Sequence, residues 1–552
     1  MTDTRGDARR VSHWGWGWED RFPAREERRR LGQLVTAALG FAPSRLDDPR
    51  ALSDVDVGAA RIAPPRLLAA ICTADREARV RHTYGRSYRD VVRGFRGDFR
   101  GAPDLVVRPR SALDVAATLD WASGERVAVI PYGGGTSVVG GVEPVVPEGY
   151  RGTLSLDLRG LDRLLDVDRD SLSARIEAGA TGPRLEAQLA AHGLTLRHYP
   201  QSFEHSTLGG WIATRAGGHF ATLYTHIDDL LQAAQIVTPA GVLETRRVPA
   251  SGAGPDPNRW VLGSEGTLGV ITDAWMRVRP RPTFRASATV AFSEWGDAVL
   301  AVRSIAQSRL YPAGCRLLDR REAGISFTGD GKRHLLLLGF ESADHPVGAA
   351  MARALELCAD HRGQCDAGPR LSEGDAQRSA DRDGGGAAGN EAWRKAFIDA
   401  PYLMNSFVSL GLMVDTFETA CTWSDFDAMH ANTVDAVRDA MRRTAGAGSL
   451  SCRFTHVYPD GPAPYYTFIA PAQHGAELSQ WAEIKQAASE AILRCGGTIT
   501  HHHAVGRVHR PWYDRERPEV FAHALRAAKR ALDPVGVLNP GVLLDPRAPA
   551  PR

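Results

Sequence analysis

Lysine is nearly missing from this sequence. Only Lys332, Lys395, Lys485 and Lys529 occur, so arginine supplies 63 of the 67 basic residues. Codon bias in a GC-rich genome accounts for that skew without a functional cause. Net charge is also close to nil, because 65 acidic residues leave only +2. That excludes a bulk electrostatic case for nucleic acid or an anionic membrane. The seven cysteines are odd in number and form no CxxC pair. Structural zinc and a disulfide framework are therefore excluded, and a reduced cytoplasm fits best. No run of 18 apolar residues occurs, so no transmembrane helix is expected. The first residues, MTDTRGDARR, lack the apolar stretch of a signal peptide.

Glycine is what the chain has in excess, at 56 residues. A chain of 552 residues is too long for one compact core and predicts roughly two to four domains. The texture divides it into a helical and irregular segment (1–98), an α+β nucleotide-type domain (99–281), a second α+β domain (282–480) and a helical C-terminal segment (481–552). In the first, His13 to Trp18 form an aromatic cluster of the kind that straps onto a core. In the second, Ser111 and Asp114 start a helix, Gly124 ends it, and the buried strand 127–130 follows. Residues 366–392 carry almost no large apolar side chain and read as a mobile loop, with a lid over the site as the functional alternative. Near the C-terminus a helix presents Trp481, Ile484, Ala488, Ala491 and Ile492 on one face. The strand 498–500 is expected after it, leading into His501, His502 and His503.

Some of the glycines are grouped. The strand 127–130 runs into Pro131-Tyr132-Gly133-Gly134-Gly135-Thr136-Ser137. No Gly-Lys-Ser/Thr follows, so this is not a P-loop. A Rossmann loop needs a third glycine at 138, where valine stands. What remains is a loop whose backbone N–H groups can approach an anion with no Cβ in the way. Two runs of the same character follow, at 206–211 and 263–272. A pyrophosphate needs many N–H donors at close range, and three converging loops can supply them. Taken singly, each loop reads equally well as a tight turn.

The stretches PYGGGTS, PQSFEHSTLGGWIATRAGG and GSEGTLGVIT resemble the FAD-binding half of the vanillyl-alcohol-oxidase-type flavoproteins. WGWGWED, CRLLD at 315–319, FETACTW at 417–423, THHHAVG at 500–506 and LNPG at 538–541 resemble landmarks of one branch, the alkyldihydroxyacetonephosphate synthase family. The similarity covers roughly residues 12–545. It implies an α+β, two-domain vanillyl-alcohol-oxidase/PCMH-type FAD-binding fold with an α+β cap domain. It implies FAD contacts at Pro131, Tyr132, Gly133, Gly134, Gly135, Thr136 and Ser137. Further contacts follow at Pro200, Gln201, Ser202, Ser206, Thr207, Gly210, Ala213, Thr214, Arg215 and Ala216. The third loop adds Ser264, Glu265, Gly266, Gly269, Val270 and Ile271. Some relatives tether the flavin to a histidine in the first loop. Thr136 and Ser137 stand there instead, so the FAD is expected to be non-covalent. The relatives also imply a homodimer, a small-molecule or lipid-like substrate and a peripheral membrane contact.

Histidine suits proton transfer because its pKa lies near neutrality. On a strand His501 and His503 would share one face, with His502 on the other. A metal needs further ligands at defined spacing, and no HExxH or CxxC motif accompanies the run, so no metal is expected. Tyr465 and Tyr466 sit in a strand pattern, and only one of them can face the flavin. The resemblance points to Tyr465 as the catalytic acid. It likewise points to Arg316 as an arginine needed for activity and to His198 as a functional histidine. One segment departs from the family. There the sequence reads A-P-Y-L-R-D, and its arginine contacts the substrate. Here Met404 and Asn405 replace the Arg-Asp pair, so phosphate binding is weaker, the substrate differs, or a salt bridge has been replaced as a unit.

Three functions fit these features. One is exchange of an acyl for an alkyl group through a flavin N5 adduct, as in ether-lipid synthesis. The second is an FAD-linked oxidase or dehydrogenase of a hydroxy acid or alcohol, with hydride transfer to N5. The third is a flavin-binding protein without catalysis, which the histidines and Tyr465 argue against.

Overall fold

The computed structural model of the chain describes residues 9–145, 148–224, 226–373 and 388–545, without the side chains of 388–398. Three sheets organise it. The first has the order Cys72–Thr73, Leu105–Val107, Gly152–Asp157, Val127–Tyr132. Its last three strands are parallel. Such a strand is buried on both faces and reads as an unbroken apolar run, which is why 127–130 is legible. The helix Ala112–Glu125 links two of them, and the Ser111 hydroxyl caps it by accepting from Asp114 N at 3.2 Å. Its left-handed C-terminal residue is Arg126 (φ 53°), not Gly124.

The second sheet is antiparallel, in the order Leu164–Asp168, Ser173–Glu177, Val270–Arg277, Leu231–Thr238, Gly241–Glu244. The third, in the cap, has seven antiparallel strands. Its centre is formed by His334–Ser342, Gly314–Leu318, Ser449–Val457 and Pro462–Pro471, with Leu412–Glu418 at one edge. The helices Trp295–Gln307, Gly348–Asp360, Trp423–Ala445 and Glu477–Arg494 cover it with one large apolar core. Together these sheets form an α+β, two-domain fold with a cap, the architecture that the resemblance implied.

The flanking segments are not appendages. Cys72–Thr73, from the N-terminal segment, adds a strand to the first sheet. The tail returns to the same sheet, where Val129 N donates to Val537 O and Asn539 N to Val129 O, both at 2.8 Å. The aromatic strap is present. Trp14 is buried and meets Phe22 and Phe95 edge-on, with ring centroids 4.7 and 4.9 Å away. The loop expected at 366–392 is only partly one: Arg370–Ser372 pairs at the sheet edge, and the helix Ala388–Ser409 takes in its last residues. Residues 374–387 lie outside the described residues. Among the described residues no helix is long and apolar enough to cross a membrane.

Candidate active site

The first two glycine loops lie back to back. A Cβ on Gly133 would stand 2.3 Å from Thr207 Oγ1, and one on Gly134 only 1.9 Å from the His205 carbonyl oxygen. No side chain can be carried there while the loops stay together. The third loop supports the other two from behind. Glu265 N donates to Ala213 O at 2.9 Å, and a Cβ on Gly266 would press on Pro131. The Glu265 carboxylate accepts from Val505 N and Gly506 N, each at 2.9 Å, which ties this loop to the chain just past the histidines. Burial raises that carboxyl to about 7.

A cavity of about 1520 Å³ opens over the loops. Its floor includes residues 133–137, 200–202, Ser206, Thr207, Gly210, Thr214 and Ala216. Pro131, Tyr132, Ala213 and Arg215 are not on the lining, and neither are Ser264, Glu265, Gly266, Gly269, Val270 and Ile271. Arg215 turns instead to Asp228, and Tyr132 donates its hydroxyl to Arg81 O at 3.2 Å. A floor of small residues with exposed backbone, held flat by glycines that a Cβ would force apart, fits the phosphates and ring system of FAD.

The opposite wall comes from the cap. His501, His502 and His503 are not on a strand; they form a turn wrapped around Glu418. The Glu418 carboxylate accepts from Thr500 Oγ1 (2.6 Å) and from the backbone N–H groups of His501 (2.6 Å), His502 (3.2 Å) and His503 (2.9 Å). The alternation expected of a strand therefore fails, and both His502 and His503 line the cavity while His501 does not. Burial pushes the Glu418 carboxyl up, but His502, His503, His501 and the Thr500 hydroxyl hold it well below the usual carboxylate range. Burial in turn lowers the three imidazoles. The Glu418 carboxylate is thus held ionised beneath three imidazoles whose own burial disfavours charge.

Tyr465 lines the cavity. Tyr466, on the other face of Pro462–Pro471, stacks on Phe417 and bonds His430. The Tyr465 hydroxyl donates to Thr416 Oγ1 at 3.0 Å, and the Arg453 guanidinium lies 4.0 Å over its ring. Burial raises its pKa against the pull of Arg453. Arg316 lines the same wall and bonds both His219 Nε2 (2.9 Å) and His219 O (2.6 Å). Burial, with the like charge of Arg453, lowers it to about 9. Two cations stand here, and Arg453 is matched by Glu322 at 2.6 Å. His198 lies off the lining, packed 5.0 Å from the Trp211 ring, and burial lowers it to about 3.

Met404 lines the cavity, but Asn405 does not. Asn405 grips the aromatic strap: its Oδ1 accepts from Trp16 N (2.9 Å) and its Nδ2 donates to Trp16 O (3.0 Å). A carboxylate has no donor for the second bond, so the strap is held here by an amide and not by an acid. Glu418, Arg453 and His456 were not singled out in the sequence. Glu418 stood inside the segment FETACTW, at the end of the strand Leu412–Glu418, which also carries Asp415. His456, His501 and His502 each bring a ring nitrogen within 4.8 Å of the others. His456 Nε2 is engaged with Gly218 O at 3.0 Å.

Residues 103–246 match the family described as "FAD binding domain", and residues 281–543 match "FAD linked oxidases, C-terminal domain". The chain is 32% identical over 482 residues to alkyldihydroxyacetonephosphate synthase of Dictyostelium discoideum, covering 85% of this chain and 78% of that one. This chain belongs to the alkyldihydroxyacetonephosphate synthase family. A solved alkyldihydroxyacetonephosphate synthase superposes with a TM-score of 0.79 at 26% identity, over 96% of this chain and 98% of the other. For fold alone, p-cresol methylhydroxylase matches with a TM-score of 0.65 at 13% identity, over 88% of this chain and 96% of the other. As a member of the synthase family the chain is an FAD-dependent enzyme.

Proposed function

We propose that the enzyme exchanges an acyl for an alkyl group on a small polar head, in ether-lipid-type chemistry. One observation carries this reading. The cavity joins two unlike regions: the His, Tyr and Arg wall described above, and an arm lined by Leu31, Leu34, Val35, Leu39, Phe407 and Ile469. A substrate with a polar head and a long hydrocarbon chain matches both. Burying each CH₂ of such a chain contributes about 0.8 kcal/mol.

Bound FAD supplies an electrophilic centre at which the exchange runs without net oxidation. The neutral rings of His502 and His503 take up the proton lost at the substrate's C1. Tyr465, whose proton is held by burial, returns one. Arg316 and Arg453 hold the negative charge of the head and of the departing carboxylate. The C1–O bond to the acyl group breaks, a new C1–O bond to the alcohol forms, and one carboxylate and one proton leave. The FAD is held without a covalent bond, since Thr136 and Ser137 offer no histidine for a tether. Met404 favours a second reading, an FAD-linked oxidase or dehydrogenase, because it presents no cation for a phosphate at that point of the wall.

Product analysis tests the exchange. The FAD-loaded protein is given an acylated ketone phosphate and hexadecanol. Equal amounts of ether product and fatty carboxylate are expected. Carboxylate without ether, or an oxidised head group, overturns the reading.

A further inference from the structure

Behind His502 the buried rings continue in a chain that the chemistry above does not use. His502 Nδ1 lies 3.0 Å from His501 Nδ1. His501 Nε2 lies 2.7 Å from the Tyr458 hydroxyl. That hydroxyl lies 2.6 Å from His226 Nε2. A neutral imidazole has one donor and one acceptor nitrogen, and a phenol can donate once while it accepts. With Tyr458 giving its proton to one neighbour and accepting from the other, all three links point from His226 to His502 or all point back. Such a chain passes a proton from end to end by one hop per link.

The two ends face different places. His502 lines the cavity; His501, Tyr458 and His226 do not. His226 is half-buried, and Asp228 beside it pairs with Arg215, whose side chain is 60% exposed. The rings are also in the right protonation state for conduction. Burial lowers His226 to about 4 and puts His501 well below the ordinary histidine range.

We propose that His502, His501, Tyr458 and His226 form a proton relay between the reaction cavity and the surface. This rests on the exchange reading, which releases one carboxylate and one proton per turnover into a walled cavity whose other arm is hydrocarbon. One proton binds at His502, each link hands one on, and one leaves at His226. Only N–H and O–H bonds break and form, and no electron moves. The tautomers end reversed, and rotation of the rings and of the Tyr458 hydroxyl resets them. Tyr458 and His226 act through His502 and touch no substrate.

Tyr458→Phe keeps the ring and removes the link, and two measurements on the FAD-loaded protein read the result. In ¹⁵N-histidine NMR without substrate, the ring-nitrogen shifts of His501 and His226 are expected to move in the variant. Unchanged shifts overturn the relay. So does a metal bound in stoichiometric amount, since it would occupy the nitrogens of His456, His501 and His502. In turnover with the acylated ketone phosphate and hexadecanol, kcat is expected to fall about tenfold or more with KM within about twofold. Added imidazole is expected to restore much of the rate, which it cannot do for a merely structural loss. An unchanged kcat, or a loss that imidazole leaves untouched, overturns the relay. If the unaltered protein makes no ether, the exchange reading fails, and the NMR result still decides the relay.

Discussion

Glu418 gathers four donors from one short stretch of chain, Thr500 through His503. That single carboxylate turns three consecutive histidines into a loop and sends two of them to the cavity. In Glu418→Gln the amide nitrogen faces N–H groups that it cannot accept from. The variant is expected to lose about 3 kcal/mol of stability in denaturant unfolding and about a hundredfold in kcat. A variant that keeps both would show that the histidine turn holds itself. The residue types at the site were legible in the sequence, but this arrangement was not. Strand alternation is a local rule, and the acceptor that overrides it sits 83 residues away from His501. The scarce lysines acquire meaning by the same kind of distant contact. Lys485 donates to Thr416 O (2.5 Å), and Lys529 donates to Thr267 O, Leu538 O and Asp533, each at 2.7 Å. A compact ammonium with three rotatable donors suits those buried spots better than a planar guanidinium.

Among the elements, the first two glycine loops come together for a definable reason. A strand followed by consecutive small residues states that backbone must come close to something. For Gly134 that something is the second loop. Gly134→Ala sets a methyl against the His205 backbone carbonyl. With that methyl meeting a backbone oxygen that cannot swing away, the variant is expected to weaken FAD affinity at least about tenfold and to yield pale protein, read by flavin absorbance per chain. Retention of full flavin content would contradict the back-to-back arrangement. The strand holding Tyr465 and Tyr466 was equally legible, because a period of two is intrinsic to a pleated strand. The glycines of the third loop pack closely on Pro131 and Ile236, a role that composition cannot tell from contact with a cofactor. The strap shows the same ambiguity. Gly15 and Gly17 sit where a Cβ would strike Asn405 and Tyr402.

At the scale of the molecule, the way the parts close on one another could not be read along the chain. The N-terminal segment adds a strand to the first sheet and the tail bonds to Val129, so both ends complete the flavin domain. The apolar arm draws on the helix Arg25–Leu39, on Phe407 and on Ile469, three regions with no sequence proximity. Their cluster becomes visible only when the cap folds over the floor. The enclosed space is one cavity, in which the proposed exchange runs between the FAD floor and the His-Tyr-Arg wall and leaves the flavin oxidised. The visible spectrum of the flavin during anaerobic turnover, with acylated ketone phosphate and hexadecanol but no electron acceptor, tests this most directly. The account predicts many ether molecules per flavin and an oxidised spectrum at the end. A bleached flavin, with product stopping at one per flavin, would contradict it.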